Sequence, residues 1–394
     1  MRRIGAVFGI LLLATSLGGC WVQPGFDAGR SYWNSGEATL TAANVDQLAL
    51  QWEAASVGPA VTYGNAVVVT DGLTVSALDV ATGAVRWTTD LAPELVADAR
   101  LDGPPVVAGG ILHVPWSWFQ HGGYVGLDPT TGAVTQPPGS GSETIAAAAV
   151  VDDQLVSATA FLNPTTFEVS AQISWTYTPL FLYPSSSGPR PGSGFAIVGD
   201  RVAWSFGTEA TGFSPACPPA LPGAPPGYCA PDWRTDLGAV PTAVAAVGND
   251  QVVYTDGTGM VTVLDMTTGA VAWTGELASP SSRPAVAGST IFVRASGQLA
   301  AFPAGGCGDA ACTPSWTATA DAGTTAPVAG GDVVYIASGG DVLAFPRDGC
   351  GAATCTPLAT LSIDGTDVVP SIVDGGRLLG STSDGRVVAF GLPA

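Results

Sequence analysis

Apolar residues along the chain fall in short runs rich in Val, Ala and aromatics, separated by turns built on Gly, Asn, Asp and Pro. One stretch shows the unit. Ala243–Val247, Gln251–Thr255, Val261–Leu264 and Ala270–Thr274 predict four strands, a to d, with turns at Gly248-Asn249-Asp250, Asp256-Gly257 and Thr267-Thr268-Gly269. Helical periodicity is absent, apart from a short turn near Pro93–Ala97. A Pro-x-Val signature, then Gly, then an apolar strand, recurs at Pro59-Ala60-Val61, Pro105-Val106-Val107, Pro284-Ala285-Val286, Pro327-Val328 and Pro370-Ser371-Ile372-Val373. Less regular starts lie near Ile145, Gly194 and Pro241. The starts are spaced about 41 to 49 residues apart, the length of a four-stranded propeller blade. The pattern predicts an all-β fold: an eight-bladed β-propeller of four-stranded blades.

Closure follows from the two ends of the pattern. The last unit supplies strands near Ser371–Asp374, Arg377–Ser381 and Arg386–Phe390 but no strand d. The segment Leu48–Glu53 is a lone strand d, with Trp52 in the Trp position. Adding it to the last blade closes the ring and removes an unpaired edge. The expected organisation is a signal peptide over 1–19, an anchor and linker over 20–47, and the propeller over 48–394.

The c–d hairpin comes in two chemical forms. The first is Asp-x-x-Thr-Gly-x-x-x-Trp, at Asp79, Thr82, Gly83, Trp87 and at Asp265, Thr268, Gly269, Trp273. A third copy, Asp128, Thr131, Gly132, carries Gln136 in place of the Trp. Asp and Thr accept turn amides, Gly supplies a positive φ, and the Trp can wedge against the next blade. The second form replaces the turn with a pair of cysteines. Phe302…Cys307…Cys312-Thr313-Pro314 aligns with Phe345…Cys350…Cys355-Thr356-Pro357 and with Phe213…Cys217…Cys229-Ala230-Pro231. Six cysteines allow 15 pairings. This shared register favours the local ones: Cys217–Cys229, Cys307–Cys312 and Cys350–Cys355. Disulfides imply an oxidising compartment, and the C-x4-C spacing with no histidine nearby argues against zinc.

Composition narrows the chemistry. With 13 basic and 32 acidic residues the net charge is −19, which argues against nucleic acid as a partner. Every basic residue is Arg, so Schiff-base chemistry and a P-loop lysine are excluded. The histidines are His113 and His121 alone, too few for a multi-His metal site. At the N-terminus, Arg2 and Arg3 precede an apolar run, Ile4–Leu17, too short to span a bilayer. Leu17-Gly18-Gly19-Cys20 then resembles the bacterial lipobox, in which the cysteine is diacylated after cleavage, against the alternative of a conventional signal peptide. Lipidation at Cys20 makes the expected location the extracytoplasmic side of the cell envelope.

Leu-Asp-x-x-Thr-Gly-x-Val-x-Trp resembles the PQQ-like, or quinoprotein-type, propeller repeat, and Asn44-Val45-Asp46-Gln47-Leu48 with Trp52 resembles the opening of quinoprotein dehydrogenases. The resemblance covers roughly residues 30–394. It implies one of two roles. Quinoprotein dehydrogenases hold PQQ and calcium in the central funnel and oxidise alcohols or sugars. The non-enzymatic branch, which includes the outer-membrane-assembly lipoprotein, binds partner proteins. This sequence has no vicinal Cys pair, no C-x-x-C-H haem site and no acidic/Asn calcium constellation on matching strands. No catalytic or metal residue is assigned and no cofactor is expected, although PQQ and calcium stay open. The leading expectation is a monomeric binding scaffold for envelope proteins or surface glycans; the alternative is a PQQ-dependent or divergent oxidoreductase.

Propeller geometry puts d–a and b–c loops on one face and a–b and c–d loops, with the staples, on the other. The first face carries the irregular segments: Ala92–Gly103, the aromatic Pro115–Tyr124 and the Pro/Ser-rich Pro179–Gly192. The candidate partner face is therefore Trp116, Trp118, Phe119, His121, Phe181 and Tyr183. His113, inside a strand, reads as a structural residue, and His121 beside Gly122 as a turn residue.

Overall fold

The computed structural model describes residues 20–394 apart from 57, 102, 119–120, 139–146, 152, 163–168, 175–194, 215–230, 249, 279, 296, 324 and 394. The described strands fall into eight sheets, and the fold is a β-propeller. In the first blade, strands a to d are Pro59–Tyr63, Ala66–Asp71, Thr74–Asp79 and Val85–Asp90, each antiparallel to the next. In the fifth they are Pro241–Val247, Gln251–Asp256, Met260–Asp265 and Val271–Glu276. The third sheet has three strands among the described residues. Ring closure is as the sequence predicts: Ala49–Ala55 pairs antiparallel with Arg386–Gly391 as the outermost strand of the last blade.

The strand chemistry follows from position. Strands b and c are covered by a blade on each side, so they are apolar without alternation. Val252, Val253, Tyr254, Val261, Val263 and Leu264 are all buried. Strands d face water on their outer edge and alternate: in Val271–Glu276, Val271 is exposed while Trp273 is buried.

Blades are joined by Trp on one and Gly on the next. The Asp79 carboxylate accepts the Ala81 and Thr82 amides, both at 3.0 Å, and the Thr82 hydroxyl accepts the Ala84 amide at 3.3 Å. Asp265 and Thr268 repeat this set. The turn ends in a glycine of positive φ, +71° at Gly83, +74° at Gly132 and +72° at Gly269. The tryptophan of the preceding strand d lies flat on that α-carbon: Trp52 on Gly83, Trp87 on Gly132, Trp233 on Gly269. Each indole N–H also donates to a carbonyl of the same turn: Val80, Pro129 and Met266 respectively.

Two staples are formed, Cys307–Cys312 and Cys350–Cys355, with Cα–Cα distances of 5.6 and 5.7 Å. The expected Cys217–Cys229 pair lies outside the described residues. The stapled loops also serve the neighbouring blade. Gly306 and Gly349 receive Trp273 and Trp316 as the Asp/Thr/Gly turns receive theirs. Ala311–Cys312 then pairs in parallel with Thr274–Gly275 as a fifth strand on the preceding blade, and Thr317 likewise bridges Thr354.

Residues 20–47 are not the linker expected from the sequence. Trp21, Gln23, Ser31, Asn34, Glu37, Leu40 and Val45 are all buried. Their missing strand pattern reflects a run around the axis at the a–b ends of the inner strands, with a return across the same face, rather than a lack of structure.

Candidate functional site

The inner strand of every blade turns one edge toward the propeller axis, and its amides and carbonyls need partners. Residues 21–34 supply one to each blade in turn. The Thr62 amide donates to the Trp21 carbonyl at 2.9 Å, and the Val107 amide to Val22 at 2.8 Å. At the third blade the Gln23 side chain acts as a peptide group: its carbonyl accepts the Val150 amide at 2.7 Å and its amide donates to the Val150 carbonyl at 3.0 Å. The amides of Ile197, Ala246, Val286 and Ala329 then donate to the carbonyls of Ala28, Gly29, Ser31 and Tyr32, at 2.6–2.9 Å. At the eighth blade Asn34 donates to the Val373 carbonyl at 2.9 Å.

The segment holds a conformation that a free chain would avoid. Phe26, Arg30 and Tyr32 have φ of +74°, +60° and +54°. Such residues persist only where the surroundings fix them. The Asp27 carboxylate accepts the Ser31 amide at 3.0 Å and its hydroxyl at 2.5 Å. Burial nonetheless pushes the Asp27 carboxyl upward, against those bonds and the Arg30 charge. Arg30 donates to the Pro24 carbonyl at 2.8 Å, and burial lowers its guanidinium from the ordinary value. The Arg283 guanidinium stacks on the Tyr32 ring, 3.8 Å from its centroid.

Cys20 marks where the segment begins. The Trp21 amide donates to the Thr62 hydroxyl at 2.7 Å, and that hydroxyl donates to the Asp374 carboxylate. The half-buried Cys20 thiol is raised by burial and by Asp374, with the Gly64 amide opposing. A raised thiol is a poor nucleophile, so nothing here favours Cys20 as a catalytic group. Burial, with Glu37 nearby, also raises the Asp374 carboxyl, against the Thr62 hydrogen bond.

The aromatic candidates separate. Pro115–Tyr124 is not a loop: Ile111–Trp118 and His121–Leu127 are paired strands that meet at Trp118 and His121. Trp116 is 6% exposed, packed with Val107, Leu112 and Val125, and so presents no surface. Trp118, at the strand end, is 38% exposed. Phe119, Phe181 and Tyr183 lie outside the described residues. His113 is buried edge-on to Tyr124, 6.0 Å between centroids, and burial lowers its imidazole, as suits a structural residue. Two exposed residues that the sequence reading passed over, Val96 and Val240, lie in d–a connections on the same face as Trp118. The strand Arg100–Leu101 pairs with Trp116 and Ser117, which brings the Val96 connection against this hairpin.

Residues 21–34 line the axis near the a–b turn ends of the inner strands. Among the described residues no group of three or more His, Cys, Asp or Glu side chains is placed to hold a metal ion.

Solved structures share the fold. Quinohemoprotein alcohol dehydrogenase from Comamonas testosteroni superposes with a TM-score of 0.63 at 13% identity, over 95% of this chain and 80% of that one. A europium-containing methanol dehydrogenase gives 0.62 at 11%, over 96% and 99%. The computationally designed Ika8 protein gives 0.58 at 14%, over 87% and 98%. At such identities the likeness is one of fold alone. No curated protein matches the chain by sequence. The family model described as outer membrane protein assembly factor BamB matches residues 10–174 and 230–392. Through that match, which spans well over half of its length, the chain belongs to the BamB family of PQQ-like propellers.

Proposed function

We propose that the protein is a lipid-anchored scaffold of the cell envelope that binds an envelope protein through the b–c and d–a face around Trp118. The observation that carries this reading is Trp118, exposed at the end of its strand on the b–c face. The family's description points the same way. Exposed Trp118, Val96 and Val240 give the face apolar contacts of the kind that anchor protein interfaces.

Two measurements test it. Affinity capture from solubilised envelopes should recover a protein partner with the wild type and lose it with Trp118→Ala, and an unchanged partner set refutes the role of this face. Addition of PQQ and Ca²⁺ should leave the melting temperature unchanged. A rise of several degrees would favour the oxidoreductase reading, since ligand at 100 times its Kd adds about 2.7 kcal/mol. Binding on a glycan array without a protein partner would favour carbohydrate recognition.

A further inference from the structure

We infer that the protein stands directly on the bilayer, with the face formed by its a–b and c–d turns toward the lipid, its axis along the membrane normal, and no tether between lipid and propeller. The inference rests on the lipidation of Cys20 proposed above and adds the surface that meets the membrane.

The position of Cys20 fixes the face. Its thiol lies by the Gly64 amide, in the a–b turn of the first blade, and near Asp374, where strand a of the eighth blade enters its a–b turn. The next residue already belongs to the core: Trp21 is 2% exposed, and its amide and carbonyl both bond to Thr62. Consecutive α-carbons are about 3.8 Å apart, so an acyl group on Cys20 begins within a few ångströms of the turns themselves. Nor does the following chain provide slack. After the axis it returns across the same face, where Glu37 accepts the Gly376 amide at 2.9 Å and the Ala42 amide donates to Asp332 at 3.0 Å. Both partners lie in a–b turns, of the eighth and seventh blades.

The orientation comes from the anchor, not from attraction between this face and lipid. The c–d connections carry Asp79, Asp128, Asp265, Asp309 and Asp348, which anionic lipid repels. The unlipidated chain is therefore expected to stay off vesicles. On the opposite face, Trp118 ends an eight-residue strand. At about 3.3 Å per residue that strand lifts it roughly 25 Å from the anchored side, into reach of a partner beyond the bilayer.

The chain contains no lysine, so single lysines can report on each face. Ala81→Lys and Ser289→Lys place one on exposed positions of the anchored face, and Asp71→Lys and Glu94→Lys on the other. Each lipidated variant is bound to phosphatidylcholine vesicles and treated with a soluble N-hydroxysuccinimide ester; modification is read at the introduced lysine by peptide mass. A zero-length anchor should slow labelling of the first two about tenfold relative to unlipidated protein and leave the second two unchanged. Equal rates at all four, or protection of Asp71→Lys and Glu94→Lys, overturn the inference. Intact mass of the mature protein decides the lipidation of Cys20 separately. If native lipid is absent, a maleimide-linked lipid on Cys20, the free cysteine among the described residues, still tests the geometry: protection confined to the first two lysines supports it, and any other pattern refutes it.

Discussion

Seating a tryptophan on a turn glycine should be worth measurable stability at each blade seam, and Gly269→Ala isolates it. Gly269 has φ +72°, and a Cβ there would lie 2.6 Å from the ring of Trp233. Two penalties follow. Left-handed backbone costs a non-glycine residue about 1–2 kcal/mol. The ring must also move by about 1 Å to restore contact distance, which breaks the 2.8 Å bond from its N–H to Met266 and strains the packing between the fourth and fifth blades. Overpacking of that kind costs about 1–3 kcal/mol. Gly72→Ala is the control: its φ is +57°, but nothing lies within 4 Å of the added carbon. We expect the unfolding free energy, from urea midpoints followed by far-UV circular dichroism at constant m-value, to fall by about 1–2 kcal/mol for Gly72→Ala and by about 2–5 kcal/mol for Gly269→Ala. Repeating Gly269→Ala in a Trp233→Leu background should return the effect to the Gly72 level, since the ring is then gone. Equal losses for the two glycines, or an excess that survives Trp233→Leu, would refute the seam mechanism.

Three further outcomes are expected. Replacing Cys307 and Cys312 with Ser should lower stability by about 2 kcal/mol through loop-closure entropy, read from urea midpoints with and without reductant; a smaller effect means the fifth-strand pairing holds the loop unaided. Trp21→Ala should cost about 3–5 kcal/mol as a buried aromatic, whereas a value within about 0.5 kcal/mol would make residues 20–47 a linker after all. The Asp79 carboxyl is held at about 2 by Arg86, the Thr82 side chain and the turn amides, below its ordinary 3.8. Its contribution is therefore present above pH 3.8 and fades as the pH falls toward 2, so Asp79→Asn should flatten the acid limb of the stability curve, and an unchanged limb counts against it.

What was legible in the sequence is what repeats. The strand runs, the Asp/Thr/Gly turn and the Cys-x-Pro register each occur several times, so chance agreement is small and the ring could be closed on Trp52. The axial segment has no such copy. Its partners, from Thr62 to Val373, are the inner edges of eight separate sheets, and their need for hydrogen-bond partners becomes visible only once the sheets surround an axis. Trp116 was misplaced for a related reason. Pro115 and Gly122-Gly123 read locally as loop residues. The hairpin they sit in is held along its inner edge by Arg100–Leu101, and packing buries Ile111–Trp118 along most of its length, Trp116 included, leaving its last residue, Trp118, exposed.

The ring is closed at two radii by one stretch of chain. At the rim, Ala49–Ala55 completes the last blade; at the axis, residues 21–34 bind all eight blades. A rim strand joins two neighbouring sheets, whereas an axial segment resists the opening of any seam, since separating two blades must break bonds to it. The axial segment also sets the candidate lipid attachment, Cys20, one residue from the core. With Cys20 lipidated as proposed, the surface around Trp118 is the one positioned to meet a partner.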